Sequence, residues 1–305
     1  MASGAQGDLA GKIIIVKAMS QTLKILFLRL QDLLDFEGGE GHPQFSGNAI
    51  GKIGTAGFGL GLIGGLHAGI FMMSALYVIF VRPKRGDALE TGDMQAEGSS
   101  SIVNGSIGIL LQWSIYLVFL CFFHFAEFFI TAVKQPKVLS YKSYLINHSA
   151  SYTMANIAAW VEFFVESYFF GKTWKHSLFW AMVGSSMLMI GQGVRSAAMW
   201  QCGGNFAHEI MTTRTEGHQL VTSGIYSIFR HPAYFGWFYW SIGTQILLCN
   251  PVCTLGYAYA SWHFFSRRIP YEEDLLLRFY KDKYAAYMRT SIIGIPLIQS
   301  SGTTG

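Results

Sequence analysis

Ala233–Phe265 reads AYFGWFYWSIGTQILLCNPVCTLGYAYASWHFF, and this stretch decides the fold. Its 33 residues include no Asp, Glu, Lys or Arg. A helix crosses a bilayer with about 20 apolar residues, so the run is too long for a single span. Asn250-Pro251 lies near its middle and favours a turn, because proline does not continue a helix from within. The stretch therefore predicts a helical hairpin in a membrane.

The flanks of this hairpin indicate on which side its ends lie. Arg230 precedes the hairpin and Arg267-Arg268 follow it. Basic residues are enriched on the cytosolic side of membrane proteins. Both ends are therefore predicted to face the cytosol.

Further apolar runs lie upstream, at Ile53–Val81, Ile107–Val133, Tyr144–Phe170 and Ser177–Trp200. A weaker segment, residues 12–30, could be a first span or an interfacial helix. Only 13% of the chain is charged and 51% is hydrophobic, whereas soluble domains carry about a quarter charged residues. The sequence predicts an all-α, polytopic integral membrane protein with six to eight transmembrane helices.

The segment Tyr271–Thr290 has a different pattern. It begins with acidic residues and becomes basic towards its end, which complements the dipole of a helix. Apolar residues recur in it at roughly helical spacing. It predicts an amphipathic helix on the cytosolic surface, over the mouth of the bundle.

Composition and spacing argue against several classes of function. The net charge is +4 and no Lys/Arg block resembles a nucleic-acid patch, so a nucleic-acid partner is not expected. His208, His218 and His231 are ten and thirteen residues apart, unlike the histidine boxes of membrane iron enzymes, so no metal is expected. The G-x-S-x-G motif of serine hydrolases is missing from the sequence.

Glycines in the first long run suggest helix packing. Gly57, Gly61, Gly65 and Gly69 recur every fourth residue, a ridge that lets membrane helices approach closely. The G-x-G-x-x-G match at residues 59–64 lies inside this apolar run, so it does not indicate a dinucleotide site. An oligomer through the ridge is possible.

Motifs near the hairpin resemble one enzyme family. Gly217–Tyr226, then Arg230-His-Pro-Ala-Tyr234, then Glu272-Glu273 are similar to the isoprenylcysteine carboxyl methyltransferase family, which shares the last two motifs with membrane phospholipid methyltransferases. The resemblance covers roughly residues 105–297. It includes Asn205–His208, Gly236–Gln245, Cys249–Pro251, Phe123–Glu127, Thr131–Val133, Asn147–Ser149 and Trp160–Phe163.

The resemblance implies an endoplasmic-reticulum enzyme whose active site faces the cytosol. Such an enzyme uses S-adenosylmethionine, releases S-adenosylhomocysteine, and methylates the C-terminal carboxylate of S-farnesyl or S-geranylgeranyl cysteine. Its substrates include Ras-like GTPases. The chain then divides into N-terminal membrane helices with a loop (1–104), central transmembrane helices (105–200), a cofactor-binding catalytic region with the hairpin (201–297) and a tail (298–305).

The resemblance also assigns residues. Family contacts to the cofactor fall on Met211, His218, Gln219, Leu220, Val221, Tyr226, His231, Pro232, Ala233, Tyr234 and Glu272. Met211 departs from the polar residue expected there, so a backbone contact is expected at that position. Arg268 and Arg195 would face the substrate carboxylate, and together with Glu272 they form the catalytic set.

Elementary chemistry agrees with these assignments. Glu272 can pair with the ammonium or balance the sulfonium of the cofactor. A carboxylate acceptor is ionised at neutral pH and needs no general base, and an arginine can hold it with two parallel hydrogen bonds. Two entrances follow, one from the cytosol for the cofactor and one between helices for the prenyl chain.

Taken singly, these residues have simpler interpretations. His231-Pro232 could be a helix-start turn, Glu272-Glu273 helix-terminal charges, and Arg267-Arg268 topology anchors. Arg195 could form a buried pair, His208 could cap Asn205, and Glu127, Glu162 and Glu166 could be contacts between helices. For the whole chain, the alternatives are a phospholipid methyltransferase, a sterol reductase, and a transporter or scaffold.

Overall fold

A computed structural model describes residues 47–76, 94–146, 148–170, 175, 177–213 and 217–300, with the backbone alone at 47–51 and 94–106. The predicted segment 12–30 and the basic residues 82–85 lie outside the described residues. Seven α-helices occur within these ranges: α1 Gly47–Leu76, α2 Met94–Lys134, α3 Ala150–Phe170, α4 Leu178–Cys202, α5 Pro232–Leu247, α6 Pro251–Tyr280 and α7 Asp282–Thr290. Short 3-10 turns lie at Pro136–Val138, Tyr141–Tyr144, Gly203–Asn205 and Gly224–Ser227. No β-strand occurs in the described part of the chain, so the all-α prediction is confirmed there.

The predicted hairpin is confirmed. Helix α5 ends at Leu247 and α6 begins at Pro251, with Cys249 at φ 50° in the turn. Asn250 is fully buried and donates its side-chain amide to the Ala159 carbonyl and the Gln245 side chain, at 2.9 and 3.0 Å. The turn is therefore fixed by side-chain hydrogen bonds as well as by proline.

Glu162 on α3 anchors the start of α6. Its two carboxylate oxygens each accept a backbone N–H, from Val252 and from Cys253, both at 2.7 Å. Helix N-termini leave such N–H groups without partners inside the helix. Glu166 pairs nearby with the fully buried Lys175 at 2.6 Å. Glu162 and Glu166 therefore connect different parts of the fold, in agreement with the simpler interpretation that they form structural contacts.

Helices α4 and α5 form the tightest contact, because glycines bring their backbones together. A Cβ on Gly236 would lie 2.5 Å from the Gly191 carbonyl oxygen and 2.7 Å from the backbone nitrogen of Arg195. A Cβ on Gly191 would lie 2.6 Å from the Gly236 carbonyl oxygen. Either position admits only glycine unless a backbone moves.

We therefore expect Gly236→Ala to destabilise the protein by about 1–3 kcal/mol, the usual cost of overpacking. Thermal unfolding in detergent measures this loss. Gly256→Ala is the matched control, since nothing lies within 4 Å of a Cβ at that exposed position of α6. Equal melting temperatures for the two variants would contradict the close approach of α4 and α5.

One prediction about the C-terminal segment is wrong. Residues 271–280 continue α6, which passes through Pro270, and only Asp282–Thr290 form a separate helix. Phe265, Ile269 and Glu273 are buried on α6, so packing on either side of the proline keeps the helix continuous. The break comes at Lys281, where φ is 47°.

The glycine ridge of α1 lies mostly on an open face. A Cβ on Gly61, Gly65 or Gly69 would meet nothing within 4 Å, whereas one on Gly57 would meet the Tyr144 hydroxyl. The oligomer contact at this ridge stays a prediction.

Two of the described helices are long and apolar enough to cross a membrane, judged by length and composition: Lys52–Leu76 with 25 residues and Ile107–Lys134 with 28. In α3 and α4 the apolar residues are interrupted by Glu162, Glu166 and Arg195. Helix α5 has only 16 residues.

Candidate active site

A pocket of about 700 Å³, including its open mouth, lies where the C-terminal end of α4, the loop after it, the start of α5, the end of α6 and α7 converge. The sequence after α4 is polar and rich in glycine, and Gly217 and Gly224 adopt φ angles of 89° and 61°. These angles suit glycine and let the loop turn back over the helix ends. The pocket thus lies where polar loop backbone meets the ends of several helices.

The predicted cofactor residues converge on this pocket. Its lining includes His218, Gln219, Leu220, Val221, Tyr226, His231, Pro232, Ala233, Tyr234 and Glu272. Met211 lies apart from it, 36% exposed, in two neighbouring cavities that share Asn205, Ala207 and His218 with the pocket. Positions spread over more than 50 residues of sequence are therefore brought to one place.

Tyrosines and amides hold the loop in position. Tyr280 donates its hydroxyl to the His218 carbonyl at 3.1 Å, and Tyr287 donates to the Tyr226 carbonyl at 2.6 Å. The amide N–H of Gln219 is bound by the Asn205 side chain at 3.4 Å. The loop backbone is thus attached to α6 and α7 at one side and to the end of α4 at the other.

Tyr234 joins Glu272 to Arg268. Its hydroxyl donates to Glu272 Oε2 at 2.6 Å and accepts from Arg268 Nε at 2.9 Å. Arg268 also donates one terminal nitrogen, Nη2, to the His208 carbonyl at 2.5 Å. Its other terminal nitrogen, Nη1, has no hydrogen-bond partner among the residues whose side chains are described. Arg268 is therefore half-buried and does not line the pocket itself, but it contacts the lining residue Tyr234 and has one donor group available.

The second acid of the pair, Glu273, has a separate set of partners. It is fully buried, accepts from Arg230 Nε at 2.5 Å and from Ser300 at 2.8 Å, and lies 3.2 Å from His231 Nε2. Arg230 also donates to the Ser291 carbonyl at 2.7 Å. A parallel bridge between Phe229 and Ile292 lies beside this cluster. Glu273 therefore joins the start of α5 to the segment that follows α7.

Arg195 lies outside the pocket lining. Its Nε and Nη2 donate to the two carboxylate oxygens of Glu127 at 2.5 and 2.9 Å, and Nη1 donates to the Ala233 carbonyl at 3.3 Å. Every nitrogen of this guanidinium is used within the protein. The geometry favours the buried-pair interpretation over the predicted contact with the substrate carboxylate.

His208 shares the same acid. Its Nε2 lies 3.1 Å from Glu127 Oε2, and it does not cap Asn205, so that alternative is wrong. No cluster of three metal-ligating side chains occurs in the described ranges.

The chain is similar in sequence to known proteins of one enzyme family. The model of the isoprenylcysteine carboxyl methyltransferase (ICMT) family matches residues 182–278. Protein-S-isoprenylcysteine O-methyltransferase of Xenopus laevis is 45% identical over 184 residues, covering 60% of this chain and 64% of that protein. Its human counterpart is 43% identical over 202 residues, covering 66% of this chain and 71% of that protein.

The fold agrees as well. The solved structure of the eukaryotic intramembrane Ras methyltransferase ICMT, without a monobody, superposes with a TM-score of 0.69 at 31% identity, covering 98% of this chain and 97% of that one. The chain belongs to the isoprenylcysteine carboxyl methyltransferase family.

Two features of this family member could not be read from its motifs. The motif pair Glu272-Glu273 does not say that only Glu272 lines the pocket while Glu273 lies behind it. Tyr280, Tyr284 and Tyr287 also line the pocket, although the sequence placed them on a surface helix. Their helical spacing was visible, but the direction of that face was not.

The protein should lose stability in acid through Glu273. Burial alone would raise the pKa of Glu273, but hydrogen bonds and charge from His231 and Arg230 outweigh it and lower this pKa to about 2. A depressed carboxyl pKa stabilises the fold above the unfolded value of about 4.3, and the gain is lost as pH falls towards the folded pKa.

We therefore expect the free energy of unfolding to fall between about pH 5 and pH 2, measured by denaturation in detergent. Glu273→Gln should be less stable at neutral pH, because Arg230 keeps its buried charge without a counter-ion. The variant should also show a flatter pH profile in that window. An acid profile as steep as that of the parent protein would contradict this role.

Proposed function

We propose that this protein methylates the C-terminal carboxylate of a prenylated cysteine with S-adenosylmethionine. The observation that carries the proposal is the convergence of the cofactor residues, other than Met211, on one pocket beside Arg268. The chain matches about two thirds of the length of the curated relatives it resembles. Acceptors that end in S-farnesyl or S-geranylgeranyl cysteine follow from the family resemblance and from the word isoprenylcysteine in those relatives' names. Ras-like GTPases are included because the similar solved structure is that of a Ras methyltransferase.

The lining fits a cation with polar ends. Glu272 supplies a carboxylate, the tyrosine rings supply π-faces that attract cations, and residues 218–221 supply backbone hydrogen-bonding groups. S-adenosylmethionine, when bound, supplies a methyl group on positively charged sulfur and leaves as S-adenosylhomocysteine. Glu272 would face the cation, and Tyr226 and residues 231–234 would enclose it.

The acceptor would bind at Arg268. A carboxylate is ionised at neutral pH, so it can attack directly, in line, without a general base. Nη1 of Arg268 can donate to that carboxylate, while Tyr234 and the His208 carbonyl hold the guanidinium in place. Orientation of two reactants can supply about 7–11 kcal/mol of a barrier, and excluding water strengthens each charge contact.

Arg195 would act as a positioning residue. Through Ala233 it holds the first turn of α5, and through Glu127 it connects to His208, whose carbonyl holds Arg268. Its charge is compensated by Glu127, which suits a permanent scaffold better than a carboxylate receptor.

The cellular setting belongs to the same proposal. We place the enzyme in the endoplasmic-reticulum membrane as a multi-pass protein of six to eight spans, with the pocket facing the cytosol. Arg230, Arg267 and Arg268 at the outer ends of the α5–α6 hairpin support this orientation.

The test is transfer of labelled methyl by purified protein in lipid to N-acetyl-S-farnesylcysteine, beside phosphatidylethanolamine. Base-labile label on the farnesylcysteine is expected, because a carboxyl methyl ester hydrolyses in base. Label on the lipid alone would make the protein a phospholipid methyltransferase. Absence of both transfer and S-adenosylhomocysteine binding would overturn the proposal.

A further inference from the structure

Three tyrosines from the end of α6 and from α7 form one wall of the pocket. The hydroxyls of Tyr280 and Tyr287 donate to main-chain carbonyls of the loop. Tyr284, between them, is only 1% exposed, and its hydroxyl has no hydrogen-bond partner among the described residues. One of three similar side chains thus has a polar atom that the loop does not use.

An unpaired buried hydroxyl is costly. Such a group loses its hydrogen bonds to water without gaining others, and phenylalanine would fill the same space without that loss. Buried polar groups without partners are rare in folded proteins and require an explanation. Tyr284 lines the pocket while its hydroxyl is covered by neighbouring atoms, so a ligand in the pocket can provide the partner once the side chain turns towards it.

The neighbouring charges indicate the kind of ligand group. Burial and the carboxylates of Glu273 and Glu272 raise the pKa of Tyr284, so its hydroxyl keeps its proton and can donate. Arg230, which also lines the pocket, acts on the same hydroxyl with a positive charge. Its Nε and Nη1 are bound to Glu273 and to the Ser291 carbonyl, whereas Nη2 has no partner in the described part of the chain.

Two donors therefore lie beside one acceptor. Tyr284 and Arg230 can donate, and Glu272 can accept or pair with a cation. An amino-acid group carries a carboxylate and an ammonium on the same carbon atom, so it matches a site with both kinds of partner side by side. Adenine and ribose have no such pair of charges.

We propose that Tyr284, with Arg230 beside it, binds the carboxylate of the cofactor's amino-acid end, while Glu272 binds the adjacent ammonium. This inference rests on the proposed use of S-adenosylmethionine. It adds to the family's motif residues a binding side chain on α7 and a second role for Arg230.

The test compares two ligands on purified full-length protein in lipid nanodiscs by calorimetry. S-adenosylhomocysteine has the carboxylate, and its decarboxylated analogue keeps the ammonium but lacks the carboxylate. The parent protein should bind the analogue more weakly. Tyr284→Phe should lower affinity for S-adenosylhomocysteine about tenfold, or about 1.4 kcal/mol, and should bind the analogue as the parent does.

Tyr239→Phe is the matched control. It also removes one tyrosine hydroxyl, which donates to the Gly294 carbonyl at 3.2 Å outside the pocket, and it should leave both affinities unchanged.

Three outcomes would overturn the inference. The parent protein could bind the two ligands equally, which needs no variant to fold. Tyr284→Phe could bind S-adenosylhomocysteine as tightly as the parent, or it could weaken both ligands equally. A parent protein that binds neither ligand would instead overturn the proposed function, and this inference with it.

Discussion

Arg268→Ala is expected to lower kcat/KM for N-acetyl-S-farnesylcysteine about 100-fold while leaving the Kd for S-adenosylhomocysteine within about twofold. The substitution removes the charged donor proposed for the acceptor, and a hydrogen bond to a charged group contributes about 1.5–3 kcal/mol. Tyr234 loses one donor but keeps its bond to Glu272, so the cofactor side of the pocket should stay formed. Steady-state kinetics with varied acceptor and calorimetry with S-adenosylhomocysteine measure the two quantities.

Arg267→Ala is the control for this change. Arg267 is the preceding residue, carries the same charge and is exposed, so its loss should change acceptor use little. Arg268→Lys should lie between the two, because lysine keeps the charge but cannot donate to Tyr234, His208 and an acceptor in the same fork geometry. Collapse of cofactor binding in Arg268→Ala with acceptor KM intact would refute the assignment.

Glu272→Gln is expected to weaken S-adenosylhomocysteine binding about 10- to 100-fold, since it removes the carboxylate proposed to pair with the ligand's cation. Glutamine keeps nearly the same shape, and its amide oxygen can still accept from the Tyr234 hydroxyl, which donates to Glu272 at 2.6 Å. The change therefore tests charge more than packing. Calorimetry on the purified variant gives the affinity directly.

Asp274→Asn makes the same change of charge two residues away, at an exposed position of α6. It should leave the affinity within about twofold, because exposed charges are strongly screened by solvent. Unchanged affinity in Glu272→Gln would show that Glu272 acts only as a charge on the helix.

Local rules predicted much of this molecule. Asn250-Pro251 predicted the turn of the hairpin, whereas the residues that line the pocket were indicated by the family resemblance of the loop and the R-H-P-x-Y motif. The charge pattern failed at Tyr271, where it predicted the start of a separate helix, because packing of Phe265, Ile269 and Glu273 on both sides of Pro270 keeps α6 continuous.

The sequence also did not predict which charged side chains pair with each other. Glu272 and Glu273 are adjacent and identical, yet helical geometry turns them to different partners, Tyr234 for one and Arg230 for the other. The sequence held Arg195 and Glu127 as separate charges 68 residues apart, and only the fold shows that they satisfy each other. The spacing of residues in the sequence indicates which of them share a helix face, but it does not indicate which residues of other helices that face contacts.

The residues that complete the pocket are also the last of its residues to be synthesised. Every other residue that lines the pocket precedes its tyrosine wall, Tyr280, Tyr284 and Tyr287, in the chain. The segment with Ser291 and Ser300, which bind Arg230 and Glu273, comes later still. A ribosome therefore delivers α1 to α6 to the membrane before the site can close. Until residue 300 has been synthesised, a nascent chain lacks part of the contacts that complete the site, and a product interrupted before residue 280 would insert its helices without the wall that completes the pocket.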